Sequence, residues 1–162
     1  MRKLVFIFIS LVVGSIALVG CSSINCPLNN TVYTQYDLKK STATADTLRD
    51  TLTVWISRDS NTDTVLLNRQ LNATTLQLPI SYTGDEDVLF FRRCAAGGSP
   101  VIDEVRIKKT NTPHFESVEC SPNYFHEITS VETTQNGIDS IVVKDKTVDY
   151  NARTNFYIYF KH

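Results

Sequence analysis

The sequence predicts an all-β fold, an immunoglobulin-like antiparallel β-sandwich that follows an N-terminal signal helix. Three observations carry that expectation. Short segments that alternate apolar and polar residues, rich in Val, Ile, Thr, Tyr and Phe, recur along the chain, and such alternation marks strands with one buried face. Turn-forming clusters punctuate them every roughly 8–12 residues, the spacing of sandwiches and barrels. No coiled-coil heptad, internal repeat or low-complexity tract competes with that pattern.

The elements follow in order. Thr31 to Leu38 alternates around Val32, Tyr36 and Leu38. Residues 39–50 contain Ala43, Ala45 and Leu48 and support one weak turn at most, because the many Thr oppose a helix. Thr51 to Ile56 places Leu52, Val54 and Ile56 on one face, and Thr64 to Asn68 and Thr75 to Ile80 are the next strands. Asp87 to Arg93 is a denser apolar run, suited to a central strand. Glu104 to Lys108 alternates cleanly. His114 to Val118, Phe125 to Thr133, Ile138 to Val143 and Asn155 to Lys161 complete about ten strands. Turns are expected at Asp59-Ser60-Asn61, Thr83-Gly84, Gly97-Gly98-Ser99-Pro100, Asn111-Thr112-Pro113 and Asn136-Gly137. The last is the strongest hairpin signal, since both residues tolerate positive φ. Tyr33, Trp55, Phe90, Phe91, Phe115, Phe125, Phe156, Tyr157 and Phe160 supply aromatic rings, for most of which core packing is expected.

Composition bounds the function. The chain has 162 residues, 42% hydrophobic and 20% charged, which suits one globular domain and neither wholesale disorder nor a polytopic membrane protein. A net charge of −1 argues against a partner bound by phosphate neutralisation, so no nucleic acid is expected.

Arg2 and Lys3 precede an apolar stretch from Leu4 to Val19, broken only by Ser10, Gly14 and Ser15. Its flanks are those of a signal peptide, and it falls short of the roughly 20 residues a spanning helix needs. It ends in Leu18-Val19-Gly20-Cys21, which resembles the bacterial lipobox. That resemblance implies a signal peptide at 1–20 and acylation of Cys21 with palmitate-type chains; a short tether over 21–30 and, from the strand pattern, a sandwich domain over 31–162 are expected to follow. Cleavage removes Arg2 and Lys3, taking the net charge from −1 to −3. Two or three acyl chains, at about 0.8 kcal/mol per buried CH₂, hold such a chain to a leaflet. The membrane is therefore the first expected partner.

Three cysteines remain, Cys26, Cys94 and Cys120. An oxidising compartment favours one disulfide and one leftover thiol, and spacing leaves all three pairings open. Cys94 stands beside Arg92 and Arg93, which can lower a thiol pKa, although a packed side chain is the commoner role at a strand end. No CxxC is present.

The lipobox is followed by Cys26-Pro27-Leu28-Asn29-Asn30. Later come His114 to Pro122 (HFESVECSP), Ile138 to Val143 (IDSIVV) and Phe156 to Phe160 (FYIYF). Together these resemble the small lipoproteins of unknown function of the Bacteroidetes, over the whole mature chain. The resemblance implies a disulfide between Cys26 and Cys120, leaves Cys94 outside the pattern, and carries no activity. Surface-exported relatives often bear acidic residues just after the lipidated Cys. Ser22-Ser23-Ile24-Asn25 has none, which favours the outer membrane with the domain facing the periplasm.

Few residues suggest chemistry. Asp59-Ser60-Asn61-Thr62-Asp63 opens like a calcium loop, but Thr64 replaces the turn Gly and Gln70 the bidentate Glu. Gly84-Asp85-Glu86-Asp87 is an acidic turn with the oxygens for a weak calcium. His114, Glu116, Glu119 and His126 cluster in sequence, with Asp139 a further candidate, yet no zinc spacing is present. No G-x-S-x-G, P-loop or G-x-G-x-x-G occurs, so no catalytic residue, metal or cofactor is expected. Asp46-Thr47-Leu48, Asp50-Thr51-Leu52, Asp63-Thr64-Val65 and Asp139-Ser140-Ile141 are similar to the O-glycosylation sequon of exported Bacteroidetes proteins, which marks Thr47, Thr51, Thr64 and Ser140.

The function expected is a non-enzymatic, lipid-anchored module of the cell envelope that binds or supports another envelope protein or a glycan. Two alternatives compete. One is an envelope hydrolase acting on glycan or peptide through His114, His126 and nearby carboxylates. The other is a fimbrial-type subunit donating the Phe156–Phe160 strand.

Overall fold

A computed structural model describes Cys26 and residues 31–59 and 62–161; the side chains of 58 and 59 are not described. The signal segment, Cys21, most of the tether, the tip at Ser60-Asn61 and His162 lie outside the described residues. Among the described residues there are ten strands: β1 (Tyr33–Leu38), β2 (Thr51–Asp59), β3 (Thr62–Gln70), β4 (Thr75–Pro79), β5 (Glu86–Cys94), β6 (Val101–His114), β7 (Asn123–Thr133), β8 (Ile138–Val143), β9 (Thr147–Val148) and β10 (Thr154–Phe160). They form two sheets, one ordered β4-β1-β10-β8 and one ordered β3-β2-β5-β6-β7-β9. The fold is an all-β sandwich.

Alternation explains how the two sheets face each other. Tyr36, Leu38, Leu76, Leu78, Phe156 and Ile158 from the smaller sheet meet Leu52, Val54, Leu89, Phe91, Val105, Ile107 and Ile128 from the larger, all of them buried. Tyr36 stacks on Phe156 at 4.7 Å between ring centroids. Burial raises the Tyr36 phenol well above its ordinary pKa, so the hydroxyl stays neutral. Of the remaining aromatics, Tyr33 and Phe115 are exposed. Trp55 and Phe90 are paired across β2 and β5 and stack on each other at 5.4 Å.

Four expectations need correction. The sandwich is not wholly antiparallel, because β1 runs parallel to β10 with Tyr36 opposite Phe156 and Leu38 opposite Ile158. Residues 39–50, by contrast, hold the weak turn expected there, at Ser41-Thr42 with the Ala43 N–H donating to Lys40 O at 2.7 Å, beside a bridge between Lys39 and Ala45. Asn111-Thr112-Pro113 is not a turn. It lies inside β6, which continues to His114 while pairing with β7. Beyond Lys108 that strand has lost its β5 neighbour, so Pro113 sits where β6 is an edge and a missing N–H is tolerated. His114 to Val118 is accordingly the end of β6 plus a loop.

The fourth correction concerns Asn136-Gly137. It joins no hairpin, since β7 and β8 belong to different sheets and β8 pairs with β10. Its positive φ falls on Gln135, at 58°. The buried Asp103 carboxylate holds the crossing. It accepts hydrogen bonds from the Thr134 hydroxyl and from the backbone N–H groups of Asn136, Gly137 (2.8 Å) and Ile138 (2.9 Å). Gly137 permits the close approach: a Cβ there would lie 3.0 Å from Val101 Cγ1 and 3.2 Å from Asp103 Oδ2, so those side chains would have to give by a few tenths of an ångström.

Phe156 to Phe160, apolar on both faces, is the body of β10. It is paired on both edges by β1 and β8 of its own chain.

Candidate functional site

A cleft of about 1070 Å³ opens between the start of the described chain at Thr31-Val32, strands β2 to β5 and the start of β7. Val32, Ile80 and Leu89 form part of its apolar floor. The β4–β5 loop, residues 80–85, builds one wall. Gly84 turns it with φ 74°, and the loop is stitched to the far half of β6 by the Lys109 N–H donating to Asp85 O at 2.8 Å.

Lys109 continues the inward phase of Val105 and Ile107 and is fully buried. Its ammonium reaches Asp87 Oδ1 at 3.3 Å and donates to Gly84 O at 3.3 Å, while Asp87 Oδ2 accepts from the Ser81 N–H at 2.9 Å. A buried ion pair persists only when both partners keep such extra bonds. Two places further along, Asn111 donates its amide N–H groups to Gly84 O and Tyr82 O. That fixes its Oδ1 as the acceptor facing His126 Nδ1, 2.7 Å away. The proton of His126 therefore sits on Nδ1, and Nε2 carries a lone pair. Burial first, and the Lys109 charge second, hold the His126 pKa down at about 4, so the ring lining this cleft is neutral.

At the rim Tyr82 and Tyr124 stack at 5.2 Å with 14° between their planes. Glu86 lines the same rim and is engaged by Arg106 at 2.9 Å. The acidic turn Gly84 to Asp87 thus spends both carboxylates of its second half on the protein's own cations.

The two histidines are not brought together. His126 pairs with Asn111 and His114 with Asn123, registers of opposite parity, so the imidazoles leave the sheet on opposite faces. His114 stacks on Phe125 at 4.3 Å, with Tyr150 edge-on to both rings, and its Nε2 lies 3.3 Å from Glu116 Oε1. The buried Asn123 amide donates to the Tyr150 hydroxyl, and its Oδ1 has no partner among the described residues. Glu119 is exposed, and Asp139 stands on β8 in the other sheet. Among the described residues no three His, Cys, Asp or Glu side chains gather to hold a metal ion.

Cys26 and Cys120 are joined, with Cα atoms 5.6 Å apart, and Cys94 is a free thiol directed at the carbonyls of Ala95 and Gly98. Of the four hydroxyls marked for glycosylation, Thr47 is exposed. Thr51 and Thr64 are half-buried, Thr51 donating to Cys94 O and Thr64 lining the cleft; Ser140 is half-buried on β8.

Lys109, Asn111, Tyr82 and Tyr124 escaped the sequence reading. Period-two phase from Val105 does point Lys109 inward. Nothing local marks the pairing of two tyrosines 42 positions apart.

The sequence profile of a family of unknown function, DUF6452, matches residues 51–160, which span β2 to β10. No curated protein and no solved structure matches the chain.

Proposed function

Since the chain belongs to DUF6452, a family of unknown function, we propose its role from its own geometry: a lipid-anchored module of the cell envelope that binds a ligand or partner and does no chemistry of its own. The cleft of about 1070 Å³ carries this reading. It is large enough for a ligand, and it is lined by a neutral imidazole and by carboxylates already engaged with cations, an arrangement suited to holding rather than transforming. The hydrolase alternative needs His114 and His126 to cooperate, and they stand on opposite faces of one sheet.

The anchor is Cys21, and the domain faces the periplasm from the outer membrane. The disulfide supports a close seat, because it ties Cys26 to the β6–β7 loop beside the cleft and leaves five residues back to Cys21. At about 3.4 Å per residue those reach roughly 17 Å.

Labelled palmitate fed to cells making the full-length chain tests the anchor. Incorporation is expected in the native protein and lost in Cys21→Ser, with the variant stalled as precursor or released. Equal labelling of both would reject it. For the absence of catalysis, His114→Ala, which lies outside the cleft lining, is expected to keep the cellular role wherever the variant stays folded. A folded variant that reproduced the deletion phenotype would promote the hydrolase.

A further inference from the structure

We propose that the cleft is a saccharide site, taking an uncharged, hydroxyl-rich ring stacked on the open face of Tyr82; this rests on reading the domain as a binding module and names the ligand class. Three observations converge on it.

Charge comes first. The carboxylates on the lining are cancelled from within, Asp87 by Lys109 at 3.3 Å and Glu86 by Arg106 at 2.9 Å. Among the described residues of the lining, a phosphate or uronate finds no uncommitted cation and a cationic peptide no uncommitted carboxylate. Burial keeps the His126 ring neutral as well.

The platform is second. Tyr82 is 66% exposed although one of its faces is covered by Tyr124. Its other face is open, and its backbone carbonyl is held by the Asn111 amide. A supported aromatic ring of this kind attracts the polarised C–H face of a pyranose, because the face of the ring is the negative end of its quadrupole.

Third is the hydrogen-bonding inventory. His126 Nε2 is an acceptor set by the Asn111 contact. The hydroxyls of Thr31, Thr64 and Thr83, on the same lining, both donate and accept. Sugar hydroxyls match that mixture. An acyl chain would cover these groups and leave them unpaired, which is costly in a desolvated site. The volume, about 1070 Å³, admits more than one ring.

The test is calorimetric titration of the full chain, in a sugar-free detergent, with cellotetraose, xylotetraose, mannotetraose and N-acetylchitotetraose. Tetragalacturonate, a lysine-rich decapeptide and palmitate serve as comparators. At least one neutral tetraose is expected to bind with a Kd below about 1 mM. Tyr82→Ala should weaken that binding roughly tenfold or more, while Tyr82→Phe retains it and the melting temperature of both matches the native chain. The proposal is overturned if none of the four neutral tetraoses binds, if Tyr82→Ala binds like the native chain, or if a comparator binds as tightly as the best tetraose. Because the titration does not depend on the lipid, a chain that binds a tetraose but incorporates no palmitate sinks the anchor alone. The reverse pair of results sinks the saccharide site alone.

Discussion

His126 shows how a side chain acquires properties its sequence neighbours do not announce. It sits between Phe125 and Glu127 in an ordinary strand, yet it is 4% exposed, bonded to Asn111 and close to the buried Lys109. Its pKa falls from 6.5 to about 4. Between those values the unfolded chain binds a proton that the folded chain refuses. The stability this neutral ring contributes is therefore present above pH 6.5, declines as pH drops, and is gone once pH passes below about 4. At 1.36 kcal/mol per unit the full loss amounts to about 3 kcal/mol. Urea melts at pH 7 and pH 4 should show it, and His126→Gln should flatten the difference. An NMR titration placing the His126 midpoint above 6 would contradict the assignment.

At the scale of elements, strands were legible wherever alternation ran unbroken, as in β1, β2 and β4. Partnership was not. Asn136-Gly137 has the composition of a tight hairpin, but the choice between pairing β8 with β7 and sending it to the other sheet is made by Asp103, more than 30 residues earlier. No local rule carries that information. Asp103→Ala should strip several buried donors of their acceptor at once and cost about 3 kcal/mol in urea unfolding. Asp103→Asn, which keeps one oxygen, should cost less. If both melt like the native chain, the carboxylate does not hold the crossing. Pro113 misled for a related reason: a proline reads as a turn until it is known that its stretch of β6 has a single neighbour. The two-residue β9 carries too few positions for any pattern to register.

For the molecule as a whole, the sandwich was predictable because period-two burial and turn spacing act locally and add up. The cleft was not, because its lining comes from the first described residues, four successive strands and the start of β7, and only folding brings them together. The disulfide is likewise non-local, and Cys26 and Cys120 lie outside every strand. Reduction should thus lower the urea midpoint, by about 2–4 kcal/mol of stability, without erasing the β-type circular dichroism; collapse of that spectrum on reduction would show that the bridge builds the fold rather than bracing it. The same bridge decides where a mechanical load travels. A pull applied between the amino-terminal end and the carboxyl-terminal strand crosses from Cys26 to Cys120 through sulfur and then runs along β7 to β10. Strands β1 to β6 lie inside the bracketed interval, 94 positions long, and stay out of the force path. Stretched in a single-molecule experiment, the oxidised protein would lengthen only by its outer segments, and the silent interval would yield its length only after the sulfur link was cut.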